Sequence, residues 1–172
     1  LSTTATPLEI QGHRGARGLL PENTTPGFVL ALREGADVLE MDLCISADSI
    51  IIVSHEPWMS ATICQSRNGE AIAEESEASL NLYTLSYDQI RKFDCGSKKH
   101  PDFPEQQPLP IHKPALSEVV KVTETVPLLE GGMVRYNLEI KHRPEWEDIH
   151  CPDADAFARL VLDEVQRLNI SD

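Results

Sequence analysis

The chain has 172 residues, 41% of them hydrophobic and 25% charged, and carries a formal net charge of −13. That length and balance suit a single globular domain with one core and exclude an intrinsically disordered chain. The acidic balance excludes nucleic acid and an anionic membrane surface as main partners, because neutralising many phosphates requires clustered Lys and Arg.

The opening Leu1–Pro7 has neither a basic n-region nor an apolar h-region. No later run approaches the ~20 residues that span a bilayer, so no integral membrane segment is expected. A start without Met points to a leader that was removed or omitted, and so to an exported, periplasmic or extracellular protein, with a cytoplasmic one as the alternative. Leu8–Gln11 reads as a first strand followed by a loop at His13. Thr25 with Pro26 marks a helix start, Phe28, Val29, Ala31 and Leu32 form its apolar stripe, and Gly35 is its stop. Val38–Ile45 reads as a strand whose period of two puts Glu40, Asp42 and Cys44 on one face and Leu39, Met41 and Leu43 on the other.

After a turn at Ala47-Asp48-Ser49, the β-branched run Ile50–Val53 reads as the returning strand of a hairpin. Centring the hairpin near Asp48 places His55 beside Met41 and Asp42. The segment 56–114, with polar and acidic stretches and many prolines, reads as an insertion or lid with little regular structure. Within it, Ser86 to Gln89 is a capping box opening a short helix to about Phe93. Leu116–Val126 reads as a helix opened by Ser117 or Pro114, and Val134–Ile140 as a strand with Glu139 and Lys141 on one face. Asp153–Leu168 reads as an amphipathic helix. Cys44, Cys64, Cys95 and Cys151 show no zinc-like spacing. Isolated buried thiols are the default, and a Cys64–Cys95 disulfide is the alternative if the protein is exported.

Chemistry concentrates in Gly12-His13-Arg14-Gly15, Pro21-Glu22-Asn23-Thr24, Glu40-Met41-Asp42 and His55-Glu56. Two histidines, an arginine and two same-face carboxylates are what a metal-assisted attack on a phosphate ester needs. Standing alone, Glu40 and Asp42 would read as a polar strand face paired with Lys or Arg, and Lys141 as the structural partner of Glu139. His100, His112, His142 and His150 receive no role.

Together with Ser54-His55, Glu139-Ile140-Lys141 and the weaker Pro114–Glu118 stretch, these motifs closely resemble the glycerophosphodiester phosphodiesterase family, in order and spacing, from about Ile10 to Lys141. The resemblance implies a (β/α)8 TIM barrel of the phospholipase-C-like phosphodiesterase type, with its site at the C-terminal strand ends. It implies hydrolysis of a small-molecule glycerophosphodiester to sn-glycerol 3-phosphate and an alcohol. Glu40, Asp42 and Glu139 match the family's ligands for a divalent metal, Mg²⁺ or Ca²⁺. His13 and His55 match its general acid and base, Arg14 and Lys141 its phosphate-holding groups, and Glu22 a conserved position supporting the site from behind.

A barrel of this class takes ~250 residues. Only the N-terminal part of one is expected here, as a fragment, a truncated form or a half completed by another chain. An open barrel edge would favour self-association. Three readings compete: this phosphodiesterase activity, a lipid-directed one of lysophospholipase D or phospholipase C type, and a catalytically silent half-barrel acting as a binding or assembly module.

Overall fold

The computed structural model describes residues 8–129 and 131–170, so the opening Leu1–Pro7 lies outside the described residues. Its main sheet is built around β2, Val38–Ile45, in which every residue is buried. On one side β2 pairs in parallel with β6, Arg135–Ile140, in a register that sets Asp42 against Glu139. β1, Gln11–His13, pairs in parallel with the start of β2 and sets His13 against Glu40. β3, Ile51–Val53, folds back antiparallel on the end of β2. Its partners Leu43↔Val53, Cys44↔Ile52 and Ile45↔Ile51 are the hairpin register expected from the short turn.

The first strand lies further along the chain than the apolar run Leu8–Gln11 predicts. Leu8 and Ile10 are exposed, at 87% and 53%, and what defines the strand is its register with β2 rather than the hydrophobicity of the residues before it. The following helix, α1 (Thr25–Arg33), is capped by Thr24 and not by Thr25. Thr24 is extended, its hydroxyl accepts from the Gly27 N–H, and Pro26 falls inside the first turn, where a missing N–H costs nothing.

Alternation along β2 divides the core in two. Leu39, Met41, Leu43 and Ile45 point to the layer formed by α1, by α3 (Leu116–Thr123) and by α4 (Ala154–Leu168), against Phe28, Leu32, Leu116, Val119, Phe157 and Val161. The other face carries Glu40 and Asp42 and then Cys44. Cys44 joins Ile52 in a second cluster with Met59, Cys64, Leu82, Ile90 and Cys95.

That second cluster belongs largely to the segment Glu56–Pro114, which is packed against the sheet. It contains α2 (Tyr87–Ile90) and a two-stranded ribbon of β4 (Gln65–Ser66) with β5 (Phe93–Asp94). The Ser86/Gln89 capping box is present, but the helix ends at Ile90 instead of about Phe93. Phe93 and Asp94 are drawn into the ribbon, and the next residue, Cys95, is bonded to Cys64. Cys44 and Cys151 are the buried free thiols.

α3 likewise stops at Thr123, short of Val126, and starts after Ala115, which makes no side-chain cap. The Thr123 hydroxyl bonds back to the Val119 and Val120 carbonyls, a contact that weakens the last turn. Strand β6 begins one residue later than predicted. The closing helix α4 is capped by Asp153 and stopped by Asn169 in the left-handed conformation.

Phe28 is completely buried. Its replacement by Ala should cost about 3–5 kcal/mol in denaturant unfolding. The Cys64–Cys95 bridge closes a loop with a sequence separation of 31. A Cys64→Ser/Cys95→Ser variant should lose roughly 3–4 kcal/mol, read as a lower denaturation midpoint than that of the oxidised protein.

Candidate active site

The chain turns sharply after β1. Arg14 and Gly15 both have positive φ, 56° and 80°. A side chain at position 15 would bring a Cβ within 2.8 Å of the Gly27 carbonyl carbon, so only glycine fits between the turn and α1. The turn aims the Arg14 backbone N–H at the Glu40 carboxylate, 2.8 Å away, and sends its guanidinium inward. There Arg14 pairs with Glu22 at 3.0 Å and with Asp42 at 3.1 Å. Arg17 pairs with the other Glu22 oxygen at 3.2 Å, so Glu22 is a buried anchor shared by two arginines.

Asp42 is the centre of the cluster and its side chain is 1% exposed. Besides Arg14, it faces Lys141 Nζ at 3.3 Å and accepts a hydrogen bond from the Asn23 amide at 2.9 Å. Asn23 reaches it from a left-handed backbone conformation, φ 54°. Lys141 also binds Glu139 at 2.7 Å. Burial works against the charge on Lys141, and Glu139 with Asp42 outweighs it, leaving the ammonium held above its ordinary range.

Glu40, Asp42 and Glu139 each present an oxygen, and these three atoms lie within 4.8 Å of one another. Asp42 Oδ1 is buried, with Lys141 Nζ beside it at 3.3 Å. Burial raises the Glu40 carboxyl above its ordinary range, and the negative charges of Asp42 and Glu139 add to the rise against the Arg14 N–H. Three converging carboxylates are a donor set suited to a hard divalent cation.

The histidines approach from two sides. His13 ends β1 with its side chain 60% exposed and Nε2 3.8 Å from Glu40. His55 follows β3, and its Nδ1 is 2.6 Å from the Glu56 carboxylate. An ionised carboxylate there accepts the Nδ1 proton and leaves Nε2 available for proton transfer. Burial pushes the Glu56 carboxyl up, but the His55 hydrogen bond and the nearby Lys113 charge outweigh it and bring it down to about 2. Lys113 is itself buried and donates to the Ser54 hydroxyl at 2.7 Å, which in turn donates to the Glu56 backbone carbonyl at 2.6 Å.

Asn23, Glu56 and Lys113 are the residues that sequence reasoning leaves without a role. Asn23 and Glu56 sit inside the recognised motifs, and only the backbone conformation of one and the hydrogen bond of the other single them out. No local signal marks Lys113, whose partner Ser54 is distant in the chain. A hollow of about 1110 Å³ lies at the opposite ends of the strands beside Val38 and Arg135 and contains none of these groups.

The family model described as the glycerophosphoryl diester phosphodiesterase family matches residues 13–170. The chain belongs to this family. The glycerophosphoryl diester phosphodiesterase fold is shared with a solved structure from Silicibacter pomeroyi DSS-3 assigned to the same family. The two agree with a TM-score of 0.79 and 28% identity, over 95% of this chain and 54% of that one. The Bacillus subtilis protein YhdW, assigned as a glycerophosphodiester phosphodiesterase, is 30% identical over 76% of this chain and 41% of its own length. An Oleispira antarctica phosphodiesterase solved with the product sn-glycerol-3-phosphate shares the fold at a TM-score of 0.56 and 23% identity, over 86% of this chain and 54% of that one. The chain thus spans about half the length of the relatives it matches and forms the corresponding part of a glycerophosphoryl diester phosphodiesterase barrel.

The low Glu56 value has a consequence for acid stability. Its folded value of about 2 lies below the ordinary 4.5, so its contribution is complete above about pH 4.5 and is lost as the pH falls towards 2. The loss amounts to at most about 3 kcal/mol. Glu56→Gln should therefore flatten the acid limb of stability, measured by denaturant unfolding between pH 5 and 2.

Proposed function

We propose that the protein hydrolyses a glycerophosphodiester to sn-glycerol 3-phosphate and an alcohol, with a divalent cation, Mg²⁺ or Ca²⁺, on Glu40, Asp42 and Glu139. The observation that carries this reading is the convergence of those three carboxylates beside the His55–Glu56 pair. When bound, the cation would neutralise phosphoryl charge and orient the diester. The roles that follow fall to side chains of this chain.

Arg14 and Lys141 flank Asp42 and supply N–H donors for the phosphoryl oxygens. Glu22, fixed between Arg14 and Arg17, holds the Arg14 guanidinium in place. Phosphodiester cleavage removes a proton from the attacking hydroxyl, of water or of the glycerol itself, and delivers one to the departing alkoxide oxygen as the P–O bond breaks. His13 and His55 take these two roles. Glu56 keeps the His55 imidazole in one tautomer and stabilises it when it is protonated. The Cys64–Cys95 disulfide supports placing the protein in an oxidising, exported compartment, where such bridges persist. No helix among the described residues is long and apolar enough to cross a membrane.

Assay of glycerol 3-phosphate release from glycerophosphodiesters tests the reading. Chelation should abolish turnover and added Mg²⁺ or Ca²⁺ restore it. His55→Ala and His13→Ala should each lower kcat by about 10²–10⁴-fold. Unchanged turnover after chelation, or in either variant, would falsify the mechanism. Asp42→Asn should remove cation binding measured by calorimetry, a readout independent of catalysis.

A further inference from the structure

A second hollow, of about 310 Å³, opens next to the site between the segment that follows β3 and the segment that follows β6. It shares His55, Glu139 and Lys141 with the catalytic cluster, so a diester seated on the carboxylates would send one of its two substituents into it. Its far side is walled by Trp58 and Trp146, packed edge to face at 6.0 Å between ring centroids. Arg143 lies over the Trp146 ring at 4.7 Å. Aromatic walls beside an acidic site are the usual setting for a quaternary ammonium. Here the cation position over Trp146 is already filled by Arg143.

The remaining charges of the hollow are engaged. Glu56 is bonded to His55, Glu139 to Lys141, and His142 to Glu147 at 3.0 Å. Arg143 makes no ion pair among the described residues, so its guanidinium is the group with donors to spare. A planar guanidinium pre-ordered by stacking on an indole offers several N–H groups to oxygen acceptors. A strongly anionic group would gain these donors but meet an acidic surface, given the net charge of −13. A neutral, hydroxyl-rich group meets neither obstacle: its oxygens accept from Arg143 and its C–H faces lie on the indole rings.

We propose that this hollow is a subsite for a polyol head group of the diester, with Arg143, Trp58 and Trp146 as its specificity-determining residues. The proposal rests on the hydrolytic reading above and names the substrate class that reading leaves open. The geometry disfavours choline and ethanolamine, because each would place a second cation beside Arg143.

Two measurements test it. Trp58 and Trp146 are the two tryptophans of this sequence, and both line the hollow. Titration of the metal-loaded protein with myo-inositol should therefore change the indole fluorescence saturably, while choline chloride should not. Arg143→Ala and Trp58→Phe, checked by circular dichroism for an unchanged fold, should weaken the inositol response. In the kinetic arm, Arg143→Ala should reduce kcat/KM for glycerophosphoinositol about tenfold and raise that for glycerophosphocholine, whose cation no longer meets Arg143 over the Trp146 ring. An equal fluorescence response to choline, no response to inositol, or an equal kinetic loss on both diesters would overturn the subsite. Absence of hydrolysis of either diester, with the inositol response intact, would instead count against the hydrolytic reading alone.

Discussion

A buried carboxylate on the central strand is the constraint around which this molecule is arranged. Asp42 is taken out of water by the sheet, and an unpaired charge there would cost several kcal/mol. Arg14 from the β1 turn, Lys141 from the end of β6 and Asn23 from the approach to α1 all converge on it. Each of these contacts ties a different element to β2. Electrostatic compensation and strand order are therefore one problem with one solution, and the turn at Arg14 and Gly15 is the conformational cost of delivering the guanidinium.

The same strand explains how a site and two cores coexist. Its odd positions build the layer against the helices, while the even ones pass from Glu40 and Asp42 to Cys44, from a polar site to the apolar cluster beneath the segment 56–114. The chemistry thus sits where one face of a fully buried strand is left open to polar partners. Glu40 is held above its ordinary range, because burial and two like-charged neighbours oppose its ionisation. A bound divalent cation would reverse the sign of that neighbourhood.

Much of this was readable in the residues because it depends on local periodicity. The face shared by Glu40 and Asp42, the hairpin register, the Ser86 capping box and the face of Glu139 and Lys141 follow from alternation and turn length alone. The first strand was displaced because Leu8 and Ile10 are apolar residues that the fold leaves exposed, so hydrophobicity pointed away from the pairing. Helix α2 was overextended because a ribbon and a disulfide, both long-range, take over at Phe93 and Cys95. Lys113 was invisible for the same reason: its partners Ser54 and Glu56 become neighbours only after the whole segment between has packed.

That segment leaves and rejoins the sheet at nearly one point. The chain departs after β3, and on its return the Pro114 carbonyl accepts a hydrogen bond from Val53, while Ala115 bridges Ile52. Its two ends are therefore side by side, while the stretch between them is pinned elsewhere too: Gln106 donates to the Arg17 and Leu20 carbonyls, Asn81 to the Ile149 carbonyl and the Tyr87 hydroxyl to Glu118. The entropy of closing such a loop changes slowly with its length. Changes of length are therefore tolerable at its exposed turns, such as the one around Gly69, provided that those anchors hold and Lys113 still arrives beside Ser54. Freedom to diversify is thus confined to such tips, while the anchored stretches and the residues at the mouth are held by the rest of the chain.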